Sequence, residues 1–254
     1  MSGAAEGQPH HGAPLGESGA PLRSPAPKAV TVWRIALDPS LGPDAAAIAE
    51  LSEQEQERAS RFATDALRNR WLHGHVATRR ILARELETAP RSIVYGEGAG
   101  GKPFVAAPAG SGVEFNYSDS GELGLLAVTT AGPVGADVEA MRRLTDLEAI
   151  TERFFSAEER DAILALHAHE RPGAFHRVWA RKEAYIKAGG DGLAHGLHRF
   201  AVTHAKGDVR FIHIDGDRAE ATGWTLVEVA VPDGYVGAVA IRCANVVFEF
   251  ADYG

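Results

Sequence analysis

Two short segments carry the residue types that metal-assisted phosphate chemistry requires. In Gly135-Ala-Asp-Val-Glu139 the acids stand at i and i+2 of a predicted strand. Side chains alternate across a strand, so Asp137 and Glu139 project from one face. In Trp179-Ala-Arg-Lys-Glu-Ala-Tyr-Ile-Lys187, a predicted helix, Glu183 and Lys187 are four residues apart and share a side, one turn from Trp179. Carboxylate oxygens are the donors that magnesium takes together with phosphate oxygens, and manganese suits them equally. Asp137, Glu139 and Glu183 are therefore candidate metal ligands. Each piece also fits a plainer account, with solvated acids at a strand end and an ordinary i, i+4 ion pair. Against that, Trp179 draws the Glu183 side toward the interior, where an unpaired charge is costly.

The elements that must position these residues follow from patterning. A strand is predicted over Ala29 to Leu37. Helical packing follows through Phe62, Leu67, Trp71, Val76 and Ile81, opened by a capping pair in Ser52-Glu-Gln-Glu55 and ending before Pro90. Short strands are predicted at Ile93 to Tyr95, Val113 to Tyr117, Leu123 to Val128 and Pro133 to Glu139. A helix over Leu147 to Phe155 precedes a second capping box in Ser156-Ala-Glu-Glu159 and a helix to about His169. The third helix has Pro172 in its first turn and stops at Gly189-Gly190. Strands return at Phe200 to Thr203, Val209 to Ile214, Trp224 to Val231 and Tyr235 to Ile241. The order strand, helices, strands thus occurs twice, dividing near Ala131. We expect an α+β fold of two similar subdomains, 29–131 and 132–254, each a small sheet packed with helices, with a site at the seam.

Composition sets the outer bounds. The chain has 254 residues, 45% of them hydrophobic, enough for a sizeable core. Residues 1–28 are rich in Gly, Pro and Ala and poor in large apolar side chains, which predicts a disordered tail. The single cysteine, Cys243, sits in an apolar run and is expected to be a buried hydrophobe. A net charge of −8 with no basic tract argues against nucleic acid. The lack of a signal-like or membrane-length apolar stretch predicts a soluble, cytoplasmic protein. The close histidine pairs, His73 with His75, His167 with His169 and His195 with His198, lack the convergent ligands of a zinc site. Arginines gather from Arg58 to Arg84. They fit a solvated helix face or a small polyanion site, where guanidinium forks bond phosphate. Gly96 to Gly101 is no P-loop, because Pro103 follows Lys102 where a Ser or Thr would be needed.

The two segments above, with Arg153-Phe-Phe-Ser-Ala-Glu-Glu159 and the run ending Gly-Gly-Asp-Gly-Leu193, resemble the 4′-phosphopantetheinyl transferases of the long, surfactin-synthetase-activating (Sfp) type. The resemblance extends back through Phe115-Asn-Tyr-Ser-Asp-Ser120, Gly101-Lys-Pro103, and Arg61-Phe62 with Arg70, Gly74 and Arg79, so it covers roughly Ser60 to Ile241. It implies a pseudo-twofold fold and transfer of the phosphopantetheine arm of coenzyme A to a serine of an apo acyl or peptidyl carrier protein. The implied co-product is 3′,5′-ADP and the implied cofactor is magnesium. Carried over, Asp137, Glu139 and Glu183 become the metal triad, and Glu183 or a water it holds becomes the base. Lys187 and Lys182 become charges against the phosphates. Arg61, Arg70, Arg79, Lys102, Pro103, Ser118, Asp119 and Asp137 become coenzyme A contacts. A monomer working without nucleic acid or membrane is implied. Two rivals are a catalytically weak homologue that binds coenzyme A or a carrier, and an unrelated metal-dependent phosphohydrolase.

One departure has a physical consequence. The family's Ser-His-Ser is Ser118-Asp119-Ser120 here, and an ionised aspartate repels phosphate where the histidine would attract it. Asp119→His is expected to lower the Michaelis constant for coenzyme A; an unchanged constant would show that Asp119 does not face the phosphates.

Overall fold

The computed structural model describes residues 28–190 and 196–253. Residues 1–27 of the expected tail, Asp191 to Leu193 of the last motif and His195 lie outside the described residues. Two sheets dominate. In the first, β1 (Ala29–Ala36) runs antiparallel to β5 (Leu123–Thr129), which forms a hairpin with β4 (Glu114–Ser120). In the second, β6 (Val134–Ala140) runs antiparallel to β10 (Tyr235–Ile241), which forms a hairpin with β9 (Thr225–Val229). The intervening chain also repeats. Helices α1 (Ala45–Ile48), α2 (Glu53–Ser60) and α3 (Asp65–Glu85) precede a small hairpin of β2 (Val94–Glu97) and β3 (Pro103–Ala107). Helices α4 (Leu147–Phe154), α5 (Ala157–Leu164) and α6 (Arg171–Gly189) precede the hairpin of β7 (Phe200–Val202) and β8 (Phe211–Ile214), followed by the single turn α7 (Arg218–Ala221).

The local signals act as expected. Ser52 with Glu55 and Ser156 with Glu159 form capping boxes, each serine accepting the N3 amide while the glutamate accepts the serine's own. Helix α6 has Pro172 in its first turn and ends on Gly190 in the left-handed conformation, whose N–H donates to the Ile186 carbonyl. Trp179 packs with Phe154, Phe155 and Phe175, as a core aromatic. Cys243 is buried and free.

Two strands escaped the sequence reading. β3 is one. The other, β11 (Val247–Tyr253), lies parallel to β1, giving the order β11-β1-β5-β4. Its partner is at the opposite end of the chain, and its burial does not alternate cleanly, with neighbouring Glu249 and Phe250 both exposed, so no clear local pattern marks it. β11 thus belongs to the first sheet although it lies within 132–254, while β6, β9 and β10 of the same span form the second.

The layers place the chemistry. Val30, Val32, Leu125 and Ala127 of the first sheet meet Val134, Ala136, Val138 and Val239 of the second in one apolar cluster. Leu126 and Val128 turn the other way, toward Ile81 and Leu82 of α3. In β6 the same alternation sends Gly135, Asp137 and Glu139 away from the inter-sheet cluster and toward α6. A Cβ on Gly135 would lie 2.1 Å from the Ala184 carbonyl oxygen and 2.4 Å from the Ala188 nitrogen, so glycine is what lets the helix backbone touch the strand. Among the described residues, no helix is long and apolar enough to cross a membrane. Gly135→Ala should lower the unfolding free energy by roughly 1–3 kcal/mol, read as a loss of roughly 2–4 °C per kcal/mol on thermal melting. An unchanged midpoint would contradict this close seating of α6.

Candidate active site

The site begins where the edge strands β4 and β6 run side by side. Their junction is made by side chains. Asn116 Oδ1 accepts the Ala136 amide at 2.8 Å, and Ser120 Oγ accepts the Ala140 amide at 3.0 Å. Between them, Ser118 Oγ donates to Asp137 Oδ1 at 2.9 Å. Alternation along β4 turns these three residues toward β6, while Tyr117 packs on Gly74 and His75 of α3.

From α6, Lys187 Nζ reaches across to Asp137 Oδ1 at 2.5 Å and to Ser118 Oγ at 2.9 Å. Asp137 is thus buried among two strands and a helix, yet its Oδ2 has no hydrogen-bond partner. Burial raises the Asp137 carboxyl above the ordinary 3.8, outweighing the lowering by Lys187 and Ser118. Glu139 and Glu183 are also raised, by burial first and then by the negative charge of Asp137, with Lys187 opposing in both cases. The three acids therefore share one electrostatic field, short of positive charge. As they stand, they do not form a closed group of three metal ligands among the described residues. The orphaned Oδ2 and the mutual repulsion nonetheless fit a hard cation, whose charge would relieve both.

Beside this cluster is a cavity of about 250 Å³ bordered by Lys102, Pro103, Asn116, Glu183, Ile186 and Lys187 among others. It is smaller than a pocket that encloses a whole drug-sized ligand, roughly 300–1,000 Å³, and so suits one end of a long substrate. A larger cavity of about 700 Å³ lies away from the acids, near Arg34, Tyr235 and Tyr253. Its guanidinium is already held by Asp252 and the Ala230 carbonyl. Size does not locate the chemistry here.

The other expected contacts divide. Lys102 borders the cavity, but its Nζ donates to the carbonyls of Val134 and Ala188, at 3.0 and 3.2 Å, tying the β2–β3 hairpin to β6 and to the end of α6. Asp119 faces solvent at the outer end of β4. Arg70 donates to the Gly121 carbonyl in the adjoining turn, at 2.9 Å. Arg61 is exposed and paired with Glu57, outside the cavity lining. Two of the expected contacts lie inside the fold. Arg79 is 1% exposed and bonded to Glu55 and to the carbonyls of Pro90 and Ile93, with its guanidinium 4.9 Å from the Tyr95 ring centroid, so it braces the first half. Lys182 is enclosed as well, paired with Glu159 at 2.8 Å.

The sequence reading missed Asn116 as a cavity residue and Ser118 as the bridge between Asp137 and Lys187. The only available signal was period-two alternation in Phe115 to Ser120, which puts both on one face. It missed Glu159 as the partner of Lys182, although the capping box had singled that residue out.

Comparison with known proteins points to one family. The model described as the 4′-phosphopantetheinyl transferase superfamily matches residues 133–240, which include both acidic segments. The chain is similar to the 4′-phosphopantetheinyl transferase HetI of Nostoc sp., 33% identical over 213 residues, covering 84% of this chain and 87% of that one. It is similar to the transferase Sfp of Bacillus subtilis, 32% identical over 160 residues and covering 63% and 69%. The transferase psf-1 of Bacillus pumilus is 38% identical over 140 residues, covering 55% and 57%.

Raised carboxyls give the metal-free protein a defined pH response. Glu183 holds its proton more tightly folded than unfolded, so the native state is favoured below the ordinary 4.5 and loses that advantage as pH rises through the elevated folded value. Glu183→Gln should therefore melt higher than the wild type without metal, by roughly 2–4 °C for each kcal/mol relieved, and the difference should grow from pH 4 to pH 8. Parallel melting curves would contradict it.

Proposed function

This chain belongs to the 4′-phosphopantetheinyl transferase superfamily, and we propose that it transfers the 4′-phosphopantetheine arm of coenzyme A to a serine of an apo acyl or peptidyl carrier protein, with 3′,5′-ADP as co-product. The observation that carries the reading to particular residues is the convergence of Asp137, Ser118, Lys187, Glu139 and Glu183 at the β4–β6 junction, beside a cavity that Lys102 also borders.

In the step proposed, the serine oxygen bonds to the phosphorus that carries the pantetheine arm. The bond from that phosphorus to the oxygen of 3′,5′-ADP breaks, and the serine proton passes to Glu183 or to a water it holds. Glu183 borders the cavity, which sets a carboxylate beside the space proposed for the reacting groups. Lys187 supplies a positive charge for the phosphoryl oxygens and is held at the seam by Ser118 and Asp137. Asp137, Glu139 and Glu183 would hold magnesium or manganese, which would supply Lewis-acid polarisation of the phosphate oxygens. Lys102, Pro103 and Ser118 border or adjoin the proposed coenzyme A path, with Arg70, Asp119 and Arg61 farther out. We take the chain to act as a monomer in the cytoplasm.

The test is the intact mass of an apo carrier protein incubated with the chain, coenzyme A and magnesium. A chelator-sensitive gain of one phosphopantetheine arm is expected with wild type, and its loss with Glu183→Gln while the melting transition persists. No gain with any of several acyl and peptidyl carriers would overturn the transfer reading, and full activity of Glu183→Gln would remove that residue from the mechanism.

A further inference from the structure

Helix α6 carries Glu183, and the direction in which that carboxylate points depends on how the helix is rotated about its own axis. At about 100° per residue, Lys182 lies roughly 200° from Ala184, the residue whose carbonyl abuts Gly135, and Glu183 falls between the two. One side of α6 is thus set against β6 by the glycine contact. Elsewhere on its circumference α6 is held by two buried cations, Arg181, which bonds Glu228 and the Thr203 and Ala205 carbonyls, and Lys182.

The arrangement around Lys182 is complete. Its side chain and that of Glu159 have no exposed surface, 0% each, and their charged atoms are 2.8 Å apart. Lys182 Nζ also donates to the carbonyls of Leu197 and Phe200, at 2.8 and 2.5 Å, and lies 4.2 Å from the Phe200 ring centroid. Glu159 accepts the amide of Ser156 through one oxygen and that of Val202 through the other. The ion pair therefore joins α6 to the start of α5 and to β7. An ammonium with fixed acceptors tolerates little rotation of the helix that carries it, because a buried unpaired charge is costly.

We propose that Glu159 and Lys182 are positioning residues that fix the rotation of α6 and so aim Glu183 at Asp137 and Glu139. The inference rests on the reading of those three acids as the metal-facing group. It assigns no contact with coenzyme A to either member of the pair, so their loss acts on metal affinity and turnover and leaves the coenzyme A Michaelis constant nearly unchanged.

The experiment compares wild type, Glu159→Gln, and the double variant Glu159→Gln with Lys182→Met, which removes both charges at similar volume. Folding is followed by melting, Mn2+ affinity by water-proton relaxation without coenzyme A or carrier, and turnover by carrier mass. In a folded double variant the expected result is Mn2+ affinity weakened about fivefold or more and kcat lowered about tenfold or more, with the Michaelis constant for coenzyme A within about threefold. If the double variant does not fold, Glu159→Gln decides, with changes in the same direction expected at about threefold. Wild-type Mn2+ affinity and kcat in whichever variant decides would overturn the inference, as would failure of both variants to fold, since the pair would then be needed for the fold itself. A wild type that binds Mn2+ but transfers nothing would sink the transferase reading, and the Mn2+ comparison would still judge the positioning role.

Discussion

A carboxylate held out of water is the constraint to which the rest of this structure answers. Asp137 sits where two edge strands and a helix meet, and a charge there is tolerated only with partners. Ser118 from β4 and Lys187 from α6 satisfy one oxygen and leave the other bare. Those contacts need α6 in close contact with β6, which is why Gly135 lies two residues before Asp137 and Lys102 clasps the carbonyl of Ala188 near the helix end. The excess negative charge left over, three acids against Lys187 and, beside Glu139, Arg142, is what a divalent cation would offset.

The repeated architecture explains how one chain builds such a seam. Each half supplies a strand, a helical layer, a small hairpin and a returning hairpin, and the two sheets bury apolar faces against one another. The buried apolar layer fixes which residues of β6 face the other way. Polar side chains then complete the join between β4 and β6, where backbone pairing of the sheets has ended.

How much of this was legible in sequence depended on how local the signal was. The capping boxes, the glycine stop of α6 and the face shared by Asp137 and Glu139 were readable because each rests on residues within a few positions of one another. The partners of buried charges were not. Arg79 and Lys182 show as cations beside motif residues, and nothing local reveals that Glu55 and Glu159 enclose them. β11 was hidden for the same reason, since its parallel partner lies at the other end of the chain. Ser118 belongs with these long-range cases. Its bond to Asp137 required the register between two strands that no pairing pattern predicts.

Asp137, Glu139 and Glu183 present negative charge at the seam, Lys187 and Ser118 hold that charge in place, and the buried Glu159–Lys182 pair is part of the scaffold behind it. The most direct measurement is anomalous diffraction from crystals grown with Mn2+ and coenzyme A. The account predicts one manganese peak within coordination distance of Asp137, Glu139 and Glu183, with the pyrophosphate of coenzyme A completing its shell. A fully formed coenzyme A density with manganese bound elsewhere, or with none at these carboxylates, would contradict it.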